Sequence, residues 1–144
     1  MTGWMLSDGL LYRVLFQYLV WLYGKPDWIL DLYTNPRLPQ PGDVLGDYIQ
    51  PTLTQWPGYI GQFVPTTSWQ AVQVVAHVAQ SFQPMAFTFV LPTGNTPVTI
   101  YGYTVSDSAG ALVYAEEFRT AQLVPSPGQI QIQPFLNLGI YPPP

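Results

Sequence analysis

Hydrophobic positions recur with two different periods along this chain. From Ser7 to Gly24 the spacing is helical, with Leu10, Leu11, Val14, Leu15, Tyr18, Leu19 and Leu22 covering well over half the circumference. Phe16, Val20, Trp21 and Tyr23 cover most of the remainder, so that only Arg13 and Gln17 mark a polar strip. The spacing predicts a helix over about 7–23. Ser7 suits the N-cap, Asp8 the positive end of the helix dipole, Gly24 the left-handed position after the last turn, and Pro26 blocks continuation. A helix that is apolar nearly all round must be covered on several sides. It is shorter than the roughly 20 apolar residues of a membrane span and carries Arg13 within it, so insertion into a bilayer is not expected. Leu11, Val14, Leu15, Tyr18, Trp21 and Leu22 are therefore expected to form an interface with other copies of the chain.

From Ser68 the period changes to two. Val72, Val74, Ala76 and Val78 alternate along one predicted strand, Met85, Phe87, Phe89 and Leu91 along a second, and Val98 to Val105 forms a third. Residues 106–110, SDSAG, read as a turn that leads into a hairpin partner at Ala111 to Phe118. QIQIQ at 129–133 is a last alternating strand with Ile130 and Ile132 inward. Repeated short strands of this kind predict a mainly β fold, a β-sandwich with the jelly roll as one form of it. Pro142, Pro143 and Pro144 read as an extended tail.

Between the two patterns, residues 25–65 are crowded with prolines and glycines and read as an extended connector, with a short strand at Trp28 to Tyr33. Tyr48, Trp56, Tyr59 and Phe63 are too many aromatic residues for a solvated linker, so the connector is expected to lie against a surface. The expected organisation is an amino-terminal arm over 1–67 and a β-sandwich domain with its proline tail over 68–144.

Composition sharpens this picture. Charged residues make up 8% of the 144 residues, while Trp, Tyr and Phe reach 15%. A soluble domain averages roughly 25% charged residues, so much of this surface is expected to be hidden in contacts between subunits. Arg13, Lys25, Arg37 and Arg119 are scattered and the net charge is −4; nucleic-acid binding, which needs clustered cations, is not expected. The absence of cysteine excludes disulfides, thiolate metal sites and cysteine nucleophiles. The amino terminus has neither the basic region nor the cleavage site of a signal peptide.

Candidate chemistry is sparse. His77, the single histidine, lies in a predicted strand among valines and alanines with no acid or nucleophile in evidence, and reads as a surface or interface residue. Asp43 and Asp47 sit in a proline-rich stretch and read as solvated acids; Asp27 and Asp31 flank the short strand and share a face. Glu116 alternates with Leu112, Tyr114 and Phe118, which predicts a structural buried acid satisfied by tyrosine hydroxyls, backbone, Arg119 or Arg37. The glycines fall into no phosphate-binding loop. Neither a cofactor nor an enzymatic activity is expected.

The segment IYGYTVSDSAGALVYAEEF from Ile100, followed by QIQIQPFLNL, resembles small structural proteins of tailed-bacteriophage virions. Their shared pattern has an IYGY strand, a glycine turn, a strand ending in A-E-R-F and a final alternating strand. Glu117 stands where that pattern has arginine. DLYTNPRLPQPGDVLGDY and WPGY agree with its upstream part. The resemblance implies location in a virion and a role as a capsid cement or decoration protein, a homotrimer bound to the major capsid protein. A tail, baseplate or fibre component could use the same parts, with Trp56 and Trp69 stacking on the sugars of a receptor.

Overall fold

The computed structural model describes residues 7–139, so the proline tail at 142–144 lies outside the described residues. In chain order the elements are α1 (Asp8–Leu22), β1 (Trp28–Tyr33), a short 3-10 turn (Leu45–Asp47), β2 (Gln62–Val64), β3 (Gln73–Val75), β4 (Val78–Phe82), β5 (Phe87–Leu91), β6 (Val98–Ser106), β7 (Leu112–Val124), β8 (Gly128–Ile132) and β9 (Phe135–Gly139). The protein is mainly β, every strand pair is antiparallel, and the arrangement is consistent with a β-sandwich. Contacts divide the chain into two units, and not at the expected boundary of 67/68. One comprises 1–25, 65–86 and 133–144; the other comprises 26–64 and 87–132.

The first unit is one helix on one small sheet of order β3-β4-β9. The Ser7 hydroxyl accepts a hydrogen bond from the Leu10 N–H at 3.2 Å, and Gly24 takes φ +83° just past the helix. Leu11 and Leu15 bury themselves against Val72 and Ala79, with Leu136 and Leu138 from β9 beside them. The expected single strand over 72–79 is instead a hairpin. Val75 pairs with Val78, and the two residues between them, Ala76 and His77, hold φ of 50° and 64°. Two-residue hairpin turns of this hand need positive φ at both central positions, which Asn-Gly supplies and Ala-His does not advertise. Non-glycine residues in this region cost roughly 1 kcal/mol or more each. Replacing Ala76-His77 by Asn-Gly is accordingly expected to stabilise the protein by about 1–2 kcal/mol, read as a rise in the denaturation midpoint at unchanged m-value.

The second unit contains a four-stranded sheet of order β2-β1-β6-β7 and the separate pair β5-β8. β1, expected only as a short strand in a connector, is an inner strand of that sheet. Leu30 and Leu32 are fully buried on one face, and Asp31 and Tyr33 are buried on the other. The latter face is covered by the connector itself, which is folded into this unit rather than laid over a separate domain. Trp56 is 2% exposed and its indole N–H donates to the Val90 carbonyl at 2.8 Å. Tyr59 stacks on Phe89 and Tyr48 packs edge-on against Tyr33. β7 runs well past the Phe118 expected as its end, and its pairing with β6 slips between Gly102↔Glu117 and Ile100↔Gln122. This leaves a wide bulge on an edge strand, which disrupts edge-to-edge pairing. The turn at 107–110 forms as expected: the Asp107 carboxylate accepts from the Ala109 and Ala111 N–H groups, and Gly110 has φ +84°.

Candidate functional site

The residues expected to form an oligomer interface separate into two sets. Leu11, Leu15 and Leu22 are buried within their own chain, and Leu11 and Leu15 pack on the sheet beneath α1. Tyr18 is partly buried beside them. Val14 and Trp21 are exposed, Trp21 to 59%. The exposed apolar set was broader than expected and also includes Leu10, Tyr12, Phe16, Val20 and Tyr23.

At about 100° per residue these side chains do not form one stripe. Tyr12, Phe16, Val20 and Tyr23 fall on one flank of the helix, and Leu10, Val14 and Trp21 on the other. The polar strip of Arg13 and Gln17 separates them on the outer side. The first flank is stiffened by the Tyr12–Phe16 ring stack (centroids 6.0 Å) and borders an open groove of about 400 Å³ whose other wall includes Trp69 and Val72. On the second flank Trp21 stacks on Tyr18 at 5.7 Å, and the Lys25 ammonium sits 4.9 Å from the Trp21 ring centroid. The sequence pattern identified the helix as apolar all round. Which third of it faces its own sheet depends on β9 and on the 76–77 hairpin, neither of which the pattern revealed.

The acids are arranged differently from expectation. Glu116 is half-exposed rather than buried; it accepts a 2.6 Å hydrogen bond from the Tyr103 hydroxyl, and neither Arg37 nor Arg119 reaches it. Together with burial, this bond raises the Tyr103 pKa. The buried acid is Asp31, at 6% exposure. Its carboxylate accepts from the Tyr59 hydroxyl (3.1 Å) and the Gln50 amide (3.0 Å), while the same Tyr59 hydroxyl accepts from the Leu32 N–H (2.8 Å) just beyond the last β1–β2 pair. The tyrosine therefore continues the ladder where β2 has stopped. Asp27 lies outside the strand and is exposed, so the two acids do not act together.

Burial raises the Asp31 pKa, with the Tyr59 bond pulling the other way. A raised carboxyl pKa means that the folded state binds this proton more readily than the unfolded chain does. Stability from this group is thus gained as pH falls through the raised value and is absent at neutral pH. Asp31→Asn is expected to raise the melting temperature at pH 7. The gain should vanish below about pH 3.9, the ordinary aspartate value, when paired thermal melts are run across pH.

Asp43 and Asp47 are not two solvated acids. The Arg37 guanidinium binds Asp43 through two nitrogens and lies 3.8 Å from Asp47; Asp43 also accepts from the Tyr48 hydroxyl at 2.7 Å and the Gln40 N–H at 3.0 Å. These bonds, led by Arg37, hold the Asp43 carboxyl far below the usual range. With Asn35 bonded to the backbone of Asp47 and Ile49, they fix the whole loop 34–49. His77 is in the hairpin turn, 2.9 Å from the Asp8 carboxylate, and both side chains are largely exposed.

Among the described residues no cluster of three or more His, Asp or Glu could hold a metal ion, and no helix is long and apolar enough to cross a membrane. Comparison with protein-family models, with known proteins and with solved structures finds no match to this chain.

Proposed function

We propose that this chain is a structural protein of a bacteriophage virion, a capsid cement or decoration protein that assembles with itself, as a trimer, and binds the major capsid protein. The observation that carries the self-assembly is the pair of apolar flanks on α1, six large apolar side chains exposed on a single helix with Tyr23 at its C-cap as a seventh. A patch of this kind on a protein with so little surface charge marks a contact site. Two flanks on opposite sides of a polar strip suit a head-to-tail ring, in which one flank of each copy meets the other flank of the next; a two-fold dimer would cover only one. In this reading the antiparallel sheets form a β-sandwich, and the jelly roll is the form of sandwich found in viral shells.

The phage-like motifs support the reading in a physical way. Leu32-Tyr33 of DLYTN and Gly102 of IYGY meet in the register Tyr33↔Gly102, so the two motifs form one packing unit. The tail or fibre alternative in which Trp56 stacks on a sugar loses its anchor, because Trp56 is buried and hydrogen-bonded; Trp69 lines the apolar groove instead.

Light scattering of the full chain tests the assembly. A closed oligomer that becomes monomeric in Val14→Ser/Trp21→Ser is expected; a wild-type protein that stays monomeric at high micromolar concentration would sink the proposal.

A further inference from the structure

The second unit carries a concavity of a different character from the helix groove. It is an open concavity of about 430 Å³ lined by Thr34, Thr54, Gln55, Thr96, Thr99 and Tyr101 among others, with Thr54, Gln55 and Thr96 exposed at its rim and no charged side chain in its wall. That volume lies within the range of small-molecule sites, roughly 300–1,000 Å³.

Three separate pieces of chain build it, and each is fixed. Tyr33 pairs with Gly102, so Thr34 follows beside Tyr101, and Thr99 lies two residues back on the same side of β6. Thr34 is tied down by its hydroxyl and N–H, both donated to the Ile49 carbonyl. Thr54 and Gln55 sit in a turn closed reciprocally: the Thr52 N–H donates to Gln55 Oε1 at 3.2 Å and the Gln55 N–H donates to Thr52 Oγ1 at 3.1 Å. The next residue, buried Trp56, anchors that turn. Thr96 comes from the loop before β6, where the Asn95 N–H donates to the Ser126 hydroxyl at 2.8 Å.

The hydrogen-bonding capacity of this wall is mostly unspent. Among the described residues, the hydroxyls of Thr54, Thr96, Thr99 and Tyr101 have no partner within the protein, and neither does the Gln55 amide nitrogen. Hydroxyls both donate and accept, and they lie here with an amide donor, a tyrosine ring and no charge. An anion or a cation would find no counter-charge, and a purely apolar ligand would strip water from these groups without replacing its bonds. A neutral ligand with many hydroxyls, each able to donate and accept, meets all these conditions and can lay its C–H face on the Tyr101 ring.

We infer that this pocket binds a neutral saccharide. The site does not involve α1 and is independent of the assembly proposed above.

The full chain should be screened against a panel of immobilised neutral and acidic glycans, and hits titrated by ligand-observed NMR with glycerol as a control. Saturable binding of a neutral saccharide is expected. Thr99→Val and Tyr101→Ala should each weaken it at least about tenfold, roughly 1.4 kcal/mol, while Trp69→Ala leaves it unchanged. Thermal melts confirm that each variant is folded, and Thr99→Val, which suits a strand, serves as the conservative one. Failure of every neutral saccharide to bind, binding that survives both pocket substitutions in folded protein, or equal competition by glycerol would each overturn the assignment.

Discussion

Gly102→Ala is expected to unfold the second unit or bring it close to unfolding, a loss of about 4 kcal/mol or more. A Cβ at this position would overlap the Glu116 carbonyl oxygen and the ring and hydroxyl of Tyr33. Overpacking in a core usually costs about 1–3 kcal/mol because side chains can shift. Here one of the obstacles is backbone in the neighbouring strand, held by the β6–β7 pairing, and cannot swing aside. The other is a tyrosine fixed at several points: its hydroxyl donates to the Arg37 carbonyl (3.0 Å), with the Glu116 carbonyl at 3.4 Å, and its ring packs edge-on against Tyr48. Moving Tyr33 would loosen the loop that Arg37, Asp43 and Tyr48 hold together. Total stabilities of about 5–15 kcal/mol leave little margin for such a change. Denaturant unfolding measures the loss. Gly9→Ala is the control, because a Cβ there meets nothing within 4 Å and helix propensity favours alanine. The double variant Gly102→Ala/Tyr33→Leu should recover part of the loss, since it removes the ring but not the carbonyl.

The sequence makes the helix legible because its signals are local. Ser7, Asp8, Gly24 and Pro26 lie within a few residues of the ends they set, and the capping bond is present. The later strands were visible for the same reason, with β8 at 128–132 against 129–133 from the pattern. The structure departs from the local pattern where the decisive partner is distant. β1 is inner because β6 pairs with it some seventy residues later, so its buried acid could not be told from an exposed one. Glu116 was expected to be buried from strict alternation along β7, but the bulge beside it and the strand's edge position leave it half in solvent. The 25–65 segment looked like a connector because proline and glycine remove ladder bonds. Its bonds are made by side chains instead: Tyr59 to Leu32, Trp56 to Val90, Gln62 to Thr88 and Arg37 to Asp43. The unspent hydroxyls of the pocket come from residues 34, 54, 96 and 99 and have no signature in sequence.

Two variants of the helix that each fail to assemble alone are expected to pair with one another when mixed. Substituting Phe16, Val20 and Tyr23 by serine removes one flank, and substituting Leu10, Val14 and Trp21 by serine removes the other; Leu11, Leu15 and Leu22 are untouched, so the packing of α1 on its own sheet is kept. Burying a large apolar side chain contributes about 1.5–3 kcal/mol, so three lost from one interface amount to at least about 4 kcal/mol, a thousandfold or more in Kd. In a head-to-tail ring every interface joins one flank to the other, and either triple variant therefore loses all of its contacts. A mixture still offers one intact pairing, the remaining flank of each partner. It should give a one-to-one dimer that cannot grow further, because both outward flanks are blocked. An assembly in which each flank met its own kind would behave oppositely: each variant would self-associate through its intact flank, and mixing would add nothing. Light scattering of the two variants, separately and mixed, distinguishes these outcomes, and only dimers confined to the mixture support the ring.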